Sequence, residues 1–156
     1  MKFIFNQIEV MKKTLATDKK VFIQKMFSEI AEDYDRLNRI ISLNLDFSWR
    51  KKVTSNLENA NLVLDLCAGT GDMALALLTH KNFKGKIILL DFSWEMLQLA
   101  KKKLQKYFED DRIFLVCADV EKLPFKPEAF EGAMLGFSLR NLDSQKDFYL
   151  ETKRVL

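Results

Sequence analysis

From Asn61 onward the chain repeats one unit: a short unbroken apolar run, a small or acidic residue where the run stops, then a stretch of helical periodicity. Leu62 to Cys67 runs into Gly69 and Gly71, Lys86 to Leu90 stops at Asp91, and Arg112 to Ala118 and Phe130 to Phe137 follow. Between and after them, residues 72–78, 94–107 and 144–155 read as helices, with Asp72 and Ser93 at the capping positions of the first two. Continuous rather than alternating apolar runs suit parallel strands covered on both faces. Strands and helices alternating at this spacing imply right-handed crossovers. The expected fold is α/β, a Rossmann-like doubly wound parallel sheet, in the order 3-2-1-4. Sheets of this kind usually continue for several strands more, so the sheet reads as incomplete and the chain as truncated at its C-terminal side. A fourth strand with a bare edge would invite pairing with another chain, a homodimer included.

Before residue 61 the rhythm differs. Residues 1–20 carry no strong periodicity and are expected to be a loose leader. Phe22, Met26, Ile30, Tyr34, Leu37 and Ile41 recur at helical spacing, which predicts a helical cap over 21–58 ahead of the partial domain at 59–156. Met1 to Phe5 starts like a signal sequence, but Asn6, Gln7 and Glu9 break it before Lys12 and Lys13. No run reaches the length of a membrane span. A cytoplasmic protein is expected. The helix bearing Phe22, Met26 and Phe27 either packs on the sheet, the simpler reading, or makes peripheral contact with a membrane. The net charge of +3 is too small to argue for nucleic acid, and two cysteines with a single histidine suggest neither a disulfide framework nor a metal site. Lys101 to Lys103 reads as a solvated helix face, and Trp49 as core.

Three acidic positions at strand ends carry the chemistry. Gly69-Thr70-Gly71 lets a backbone approach a ligand closely at a helix start. Asp91, 20 residues beyond Gly71, is placed to accept both hydroxyls of a ribose. Asp119 would take an adenine amino group and the Val120 N–H a ring nitrogen. Together they predict an adenosine ligand. The choice between NAD and S-adenosyl-L-methionine turns on Asp65, four residues before Gly69. A carboxylate serves a pyrophosphate poorly and an ammonium group well, which favours S-adenosyl-L-methionine; a solvated turn carboxylate is the plainer alternative.

Several motifs resemble those of the methyltransferases that C-methylate ubiquinone and menaquinone precursors. Leu64 to Asp72, Asp91 to Leu97 and Glu121 to Phe125 are similar to that family's cofactor motifs. Phe27 to Ala31, Tyr34 to Asn38 and the Asp46-x-x-Trp49-Arg50 element resemble its N-terminal signature. Gly136-Phe137-Ser138-Leu139-Arg140-Asn141 resembles its FGLRN motif, with Ser138 where glycine is usual. The likeness spans about residues 21–156. It implies a class I methyltransferase core with S-adenosyl-L-methionine contacts at Thr70, Asp91, Asp119 and Val120; Asp65, Gly69, Gly71, Phe92 and Gly136 complete the expected cofactor set. It implies a prenylated quinol as substrate, bordered by Arg140 and Asn141. It also implies a chain that continues past Leu156.

Methyl transfer to a quinol carbon needs a base for the phenolic proton and a dry pocket, not a metal. Arg140 would stabilise the phenolate or orient a water; a structural ion pair is the alternative. Tyr34 and Asp46 are weaker substrate candidates, set against a packed tyrosine and a capping aspartate. A nucleic-acid methyltransferase would normally carry a Pro-Pro-Tyr-like run after the fourth strand, where this chain has Gly136 to Leu139, so no nucleic-acid partner is expected. Methylation of another small molecule, or a catalytically inactive fold retained as a binding subunit, stays open.

Overall fold

The computed structural model describes residues 45–156 without interruption, together with Met26, Asp35, Arg36 and residues 38–43. The expected leader, and Phe22, Phe27, Ile30, Tyr34 and Leu37 of the cap, lie outside the described residues.

Four strands, β1 (Leu62–Leu66), β2 (Lys86–Asp91), β3 (Ile113–Cys117) and β4 (Gly132–Leu135), form one sheet in the order β3-β2-β1-β4. All pairings are parallel, with Leu64 opposite Ile88 and Ala133, and Leu90 opposite Val116. This is the Rossmann-like arrangement, with β1 and β2 in the interior and β4 at an edge of the described sheet. Among the described residues, helices α1 (Asp46–Thr54), α2 (Asp72–Leu78), α3 (Trp94–Lys103), α4 (Gln105–Glu109) and α5 (Gln145–Val155) accompany it.

Side chains alternate across the strands and build a core on each face. Val63, Ile87, Leu89, Ile113 and Met134 pack with Met73, Ala74 and Leu77 of α2 and Leu97 and Ala100 of α3. Leu64, Leu66 and Leu90 face the other way, toward Phe130, Phe148 and Val155. Each of these buried side chains larger than alanine contributes about 1.5–3 kcal/mol of transfer free energy. The proline-containing segment after β3 is held by Arg154 of α5, which donates to the carbonyls of Phe125 (2.7 Å) and Leu123 (2.9 Å). Among the described residues no helix is long and apolar enough to cross a membrane.

Four local expectations change. Asp72 does not cap α2: Gly71 holds that position at φ +81, and the Asp72 carboxylate is drawn into ion pairs instead. Helix 94–107 breaks at Leu104 (φ −107, ψ 18), which turns that side chain into the space against Gly71. The fourth strand stops at Leu135, because Phe137 takes φ +62 and cannot continue it. Trp49 is half exposed on the outer side of α1, so it is not core. Ser93 caps α3 as expected, accepting from the Met96 N–H at 3.2 Å, and Ser144 caps α5 in the same way.

Candidate active site

Three turns meet at the C-terminal edge of the sheet. In the turn after β1, Gly69 (φ +54) and Gly71 (φ +81) both use left-handed backbone, for different ends. A Cβ on Gly71 would stand 2.8 Å from Leu104 and 3.3 Å from Ala100, so this glycine allows α3 to pack close. A Cβ on Gly69 would meet nothing within 4 Å, which leaves open space over the loop.

Asp91 at the end of β2 is buried and braced by main chain. The Gly69 N–H donates to one carboxylate oxygen at 2.8 Å and the Ser93 N–H to the other at 2.9 Å. Burial pushes its pKa up to about 6, although the N–H groups of Ser93, Gly69 and Phe92 favour the charged form. Each oxygen keeps a further lone pair for a ligand hydroxyl. The Ala118 N–H bonds the Asp91 carbonyl at 3.0 Å, bringing Asp119 and buried Val120 alongside. Asp119 accepts from the Glu121 N–H at 2.9 Å. Gly69, Gly71, Asp91, Phe92, Asp119 and Val120 are thus brought to one edge.

Asp65 sits within β1, wholly buried, and neither carboxylate oxygen has a hydrogen-bond partner. Desolvation drives its pKa well above the usual range; the nearby Ala74 N–H and Arg50 only partly offset this, and the charges of Asp91 and Asp72 add to it. An orphaned buried carboxyl beside an open glycine loop fits a ligand that brings a positive charge. S-adenosyl-L-methionine fits that demand through its ammonium group, and NAD, with its pyrophosphate, does not.

The second wall comes from residues distant in sequence. Residues 38–41 are helical and turn at Ser42, whose hydroxyl donates to Asp46 at 2.9 Å. Asp46 is buried and takes Arg50, one turn on, at 3.5 Å. Its carboxyl lies below its ordinary value: burial alone would raise it, but the Ser42 and Arg50 contacts together lower it. Asp46 is neither the N-cap of α1, a place held by Leu45, nor free to meet a ligand without leaving these partners. Arg50 also reaches Asp72 at 3.8 Å and lies over the Phe137 ring, 5.1 Å from its centroid. Lys103 pairs with Asp72 at 2.7 Å and with Asp35, and donates to the Thr70 hydroxyl at 3.0 Å. The run of lysines is therefore not a uniformly solvated face. The Thr70 hydroxyl also donates to Asp35, so its oxygen is already engaged.

Gly136 closes the space between these walls, with Met73 and Arg50 Nη1 at 3.0 and 3.2 Å from where a Cβ would stand. Beyond it, exposed Phe137 leads to a 3-10 turn over Leu139–Asn141. There Arg140 is exposed and makes no hydrogen bond or ion pair among the described residues, while Asn141 bonds back to the Ser138 carbonyl at 2.9 Å. Tyr34 lies outside the described residues. His80, the one histidine, instead joins the end of α2 to α1 through Thr54 (3.1 Å).

Arg50, Lys103, Asp72 and Asp35 also stand at this edge; the sequence places them in motifs, at a capping position and in a lysine run, but does not mark them as site residues. The spacing of Asp46 and Arg50 signals an ion pair on one helix face, but not that the pair is buried. Nothing in the lysine run distinguishes Lys103 from its neighbours.

Known proteins fit this geometry. At 41% identity over 136 residues, the chain is similar to a demethylmenaquinone methyltransferase of Lactiplantibacillus plantarum, covering 86% of this chain and 57% of the relative. It is 35% identical over 142 residues to a ubiquinone/menaquinone biosynthesis C-methyltransferase of Geotalea daltonii, covering 90% and 60%. The chain thus spans less than two thirds of the length of these relatives. Its fold is similar to a solved SAM-dependent methyltransferase from Thermotoga maritima, with a TM-score of 0.65 at 21% identity over 85% of this chain and 56% of that one. A family model matches residues 13–156, taking in the glycine turn, all four strands and the Arg140 turn, and the chain belongs to the ubiE/COQ5 methyltransferase family.

Proposed function

We propose that this chain binds S-adenosyl-L-methionine and C-methylates a prenylated quinol, a demethylmenaquinol or ubiquinol precursor, in quinone biosynthesis. The observation that carries the reading is Asp65, a buried carboxyl without a partner beside the open Gly69 loop. In this reading Asp65 meets the ammonium end, Asp91 the ribose hydroxyls, and Asp119 and the Val120 N–H the adenine, with Gly69, Thr70, Gly71, Phe92 and Gly136 shaping the cavity. Bound there, the cofactor supplies an electrophilic methyl group.

The chain's own contribution is to hold the quinol in line and manage one proton. Arg140 is exposed and unpaired among the described residues, which favours substrate contact over a structural ion pair. A guanidinium there lowers the cost of a phenolate and so raises electron density at the ring carbon. Asn141 sits on the same turn, and Phe137 offers an apolar rim. Tyr34 belongs to the proposed substrate side, while Asp46, held by Ser42 and Arg50, would have to leave those partners to join it.

The finer partners belong to the same proposal. The chain works in the cytoplasm and meets its lipid-like substrate by peripheral contact with a membrane. Exposed Ile40, Ile41, Leu43, Trp49 and Val53, close to Lys51 and Lys52, support that contact. A homodimer is the last of these proposed partners. The test is a transfer assay with methyl-labelled cofactor and a demethylmenaquinol in detergent. Label on the ring carbon is expected. A chain that binds both ligands yet transfers nothing would overturn the assignment.

A further inference from the structure

Asp35 and residues 38–43 reach the glycine turn, yet little apolar surface holds them there. Ile40, Ile41 and Leu43 are 62%, 80% and 80% exposed, and no described residue among 38–43 enters either apolar core. Their main-chain bonds stay local: the Ser42 N–H donates to the Asn38 carbonyl, Leu43 to Ile40, and Leu45 to Ser42. What ties them to the domain is polar. Asp35 accepts from the Thr70 hydroxyl and pairs with Lys103, Arg39 stands 3.8 Å from Asp72, and Ser42 donates to Asp46 at 2.9 Å. Partly exposed pairs of this kind hold weakly one by one and are screened by salt.

The closed arrangement also carries costs. Leu43 takes φ +52, a left-handed backbone that a bulky side chain rarely adopts, where helical residues 38–41 turn toward α1. Backbone held this way persists only while its surroundings enforce it. Asn38, three residues after Asp35 and four before Ser42, stands on the same helix face, and its buried Nδ2 has no hydrogen-bond partner. Opening returns that donor to water, so the polar contacts must offset its burial. Their point of attachment lies in the site. Thr70 stands between Gly69, with open space over it, and Gly71, against which α3 packs. Lys103, at the end of α3, donates to Thr70 at 3.0 Å, pairs with Asp72 at 2.7 Å, and joins both to Asp35. A ligand seated at Gly69 enters and leaves beside this knot.

We propose that Asp35 and residues 38–43 form a strap that Lys103 latches over the glycine turn, and that this latch sets the rate of cofactor exchange. This rests on the cofactor reading above and adds a gate to that site. Lys103 is a positioning residue in it: it holds strap and turn together and touches no reacting atom. The latch favours the closed strap in the free and the loaded chain alike. Unlatching therefore speeds entry and exit together and changes affinity little. Loss of a ligand contact would instead raise the exit rate alone.

The test measures association and dissociation rates of S-adenosyl-L-methionine on the full chain by surface plasmon resonance, with amide exchange of the ligand-free chain beside it. Lys103→Met should raise both rates by about tenfold and alter affinity by less than about fivefold. Asp35→Asn should do the same to a lesser degree, and combining the two should add little to Lys103→Met. In the native chain, raising salt from about 20 mM to about 500 mM should speed both rates severalfold and deprotect residues 38–43. The Lys103→Met chain should respond less to the same salt. Native rates and exchange indifferent to salt would overturn the proposal without needing any variant to fold. So would a Lys103→Met chain in which dissociation alone is faster. A folded native chain that binds no S-adenosyl-L-methionine, while salt still deprotects residues 38–43, would end the cofactor reading and the gate with it but leave the latch standing.

Discussion

The two walls of the site are built by different means. The turns after β1, β2 and β3 are tied by main-chain donors that converge on one residue: the Gly69 and Ser93 N–H groups donate to the Asp91 carboxylate, and the Ala118 N–H donates to the Asp91 carbonyl. The opposite wall, Asp35, residues 38–43 and α1 with Lys103 and Gly136, is fixed by side-chain ion pairs among Asp35, Asp46, Arg50, Asp72 and Lys103. Main-chain bonds between adjacent strands come with the fold. A side-chain network depends on every member being present. The first wall should therefore be rigid and alter binding when damaged, while the second should loosen by degrees.

The largest effect is expected at Asp91. Asp91→Ala removes the acceptor of two N–H groups and, in our reading, of two ribose hydroxyls, each charge-assisted bond being worth about 1.5–3 kcal/mol. S-adenosyl-L-methionine affinity should fall by roughly 100-fold or more, and a calorimetric loss below threefold would remove Asp91 from the nucleoside site. Next come the two glycines of the β1 turn, which separate stability from binding. Gly71→Ala meets Leu104 and keeps a positive φ, so urea melts should show a loss of about 3 kcal/mol. Gly69→Ala has only the left-handed backbone to bear, about 1 kcal/mol, yet its methyl enters the open space and should weaken the cofactor about tenfold. Equal melting losses for both would contradict the division of roles.

Acidity gives a third contrast. With a folded pKa of about 6 against an ordinary 3.8, Asp91 binds its proton more tightly in the folded chain. Its contribution to stability is fully present below pH 3.8 and is lost as the pH rises through about 6. Cofactor affinity should run the opposite way, because ribose hydroxyls bond the ionised carboxylate, and should climb between pH 5 and 7. Titrations across that range check the sign, and Asp91→Asn should flatten this component. The smallest effect is expected at Lys103, whose pairs are partly exposed and worth about 1 kcal/mol. Lys103→Met should speed amide exchange over residues 38–43 and change affinity less than fivefold. Exchange unchanged in that segment would mean the network does not hold the second wall.

The same difference explains what could be read in advance. Strand order, the Ser93 cap and the meeting of Gly69, Asp91 and Asp119 follow from apolar runs and strand ends, which are local signals. The second wall joins Asp35 to Lys103 and Arg50 to Asp72 across tens of residues, and no local pattern encodes such a pairing. Asp72 shows the cost of reading locally: its position suggests a cap, and the cations around it take the carboxylate away. Leu104 is similar, since helical spacing carries through it and only its packing on Gly71 breaks the helix.

The central claim is that the edge holding Asp65 takes a cationic adenosine ligand and not a dinucleotide. A calorimetric titration of the folded, monodisperse chain at pH 7.5, with S-adenosyl-L-methionine and NAD in parallel, tests it most directly. We expect saturable one-to-one binding of S-adenosyl-L-methionine, with about 2.7 kcal/mol of added stability at a hundred times its dissociation constant, and none for NAD. Binding of NAD in preference, or of neither ligand, would contradict it.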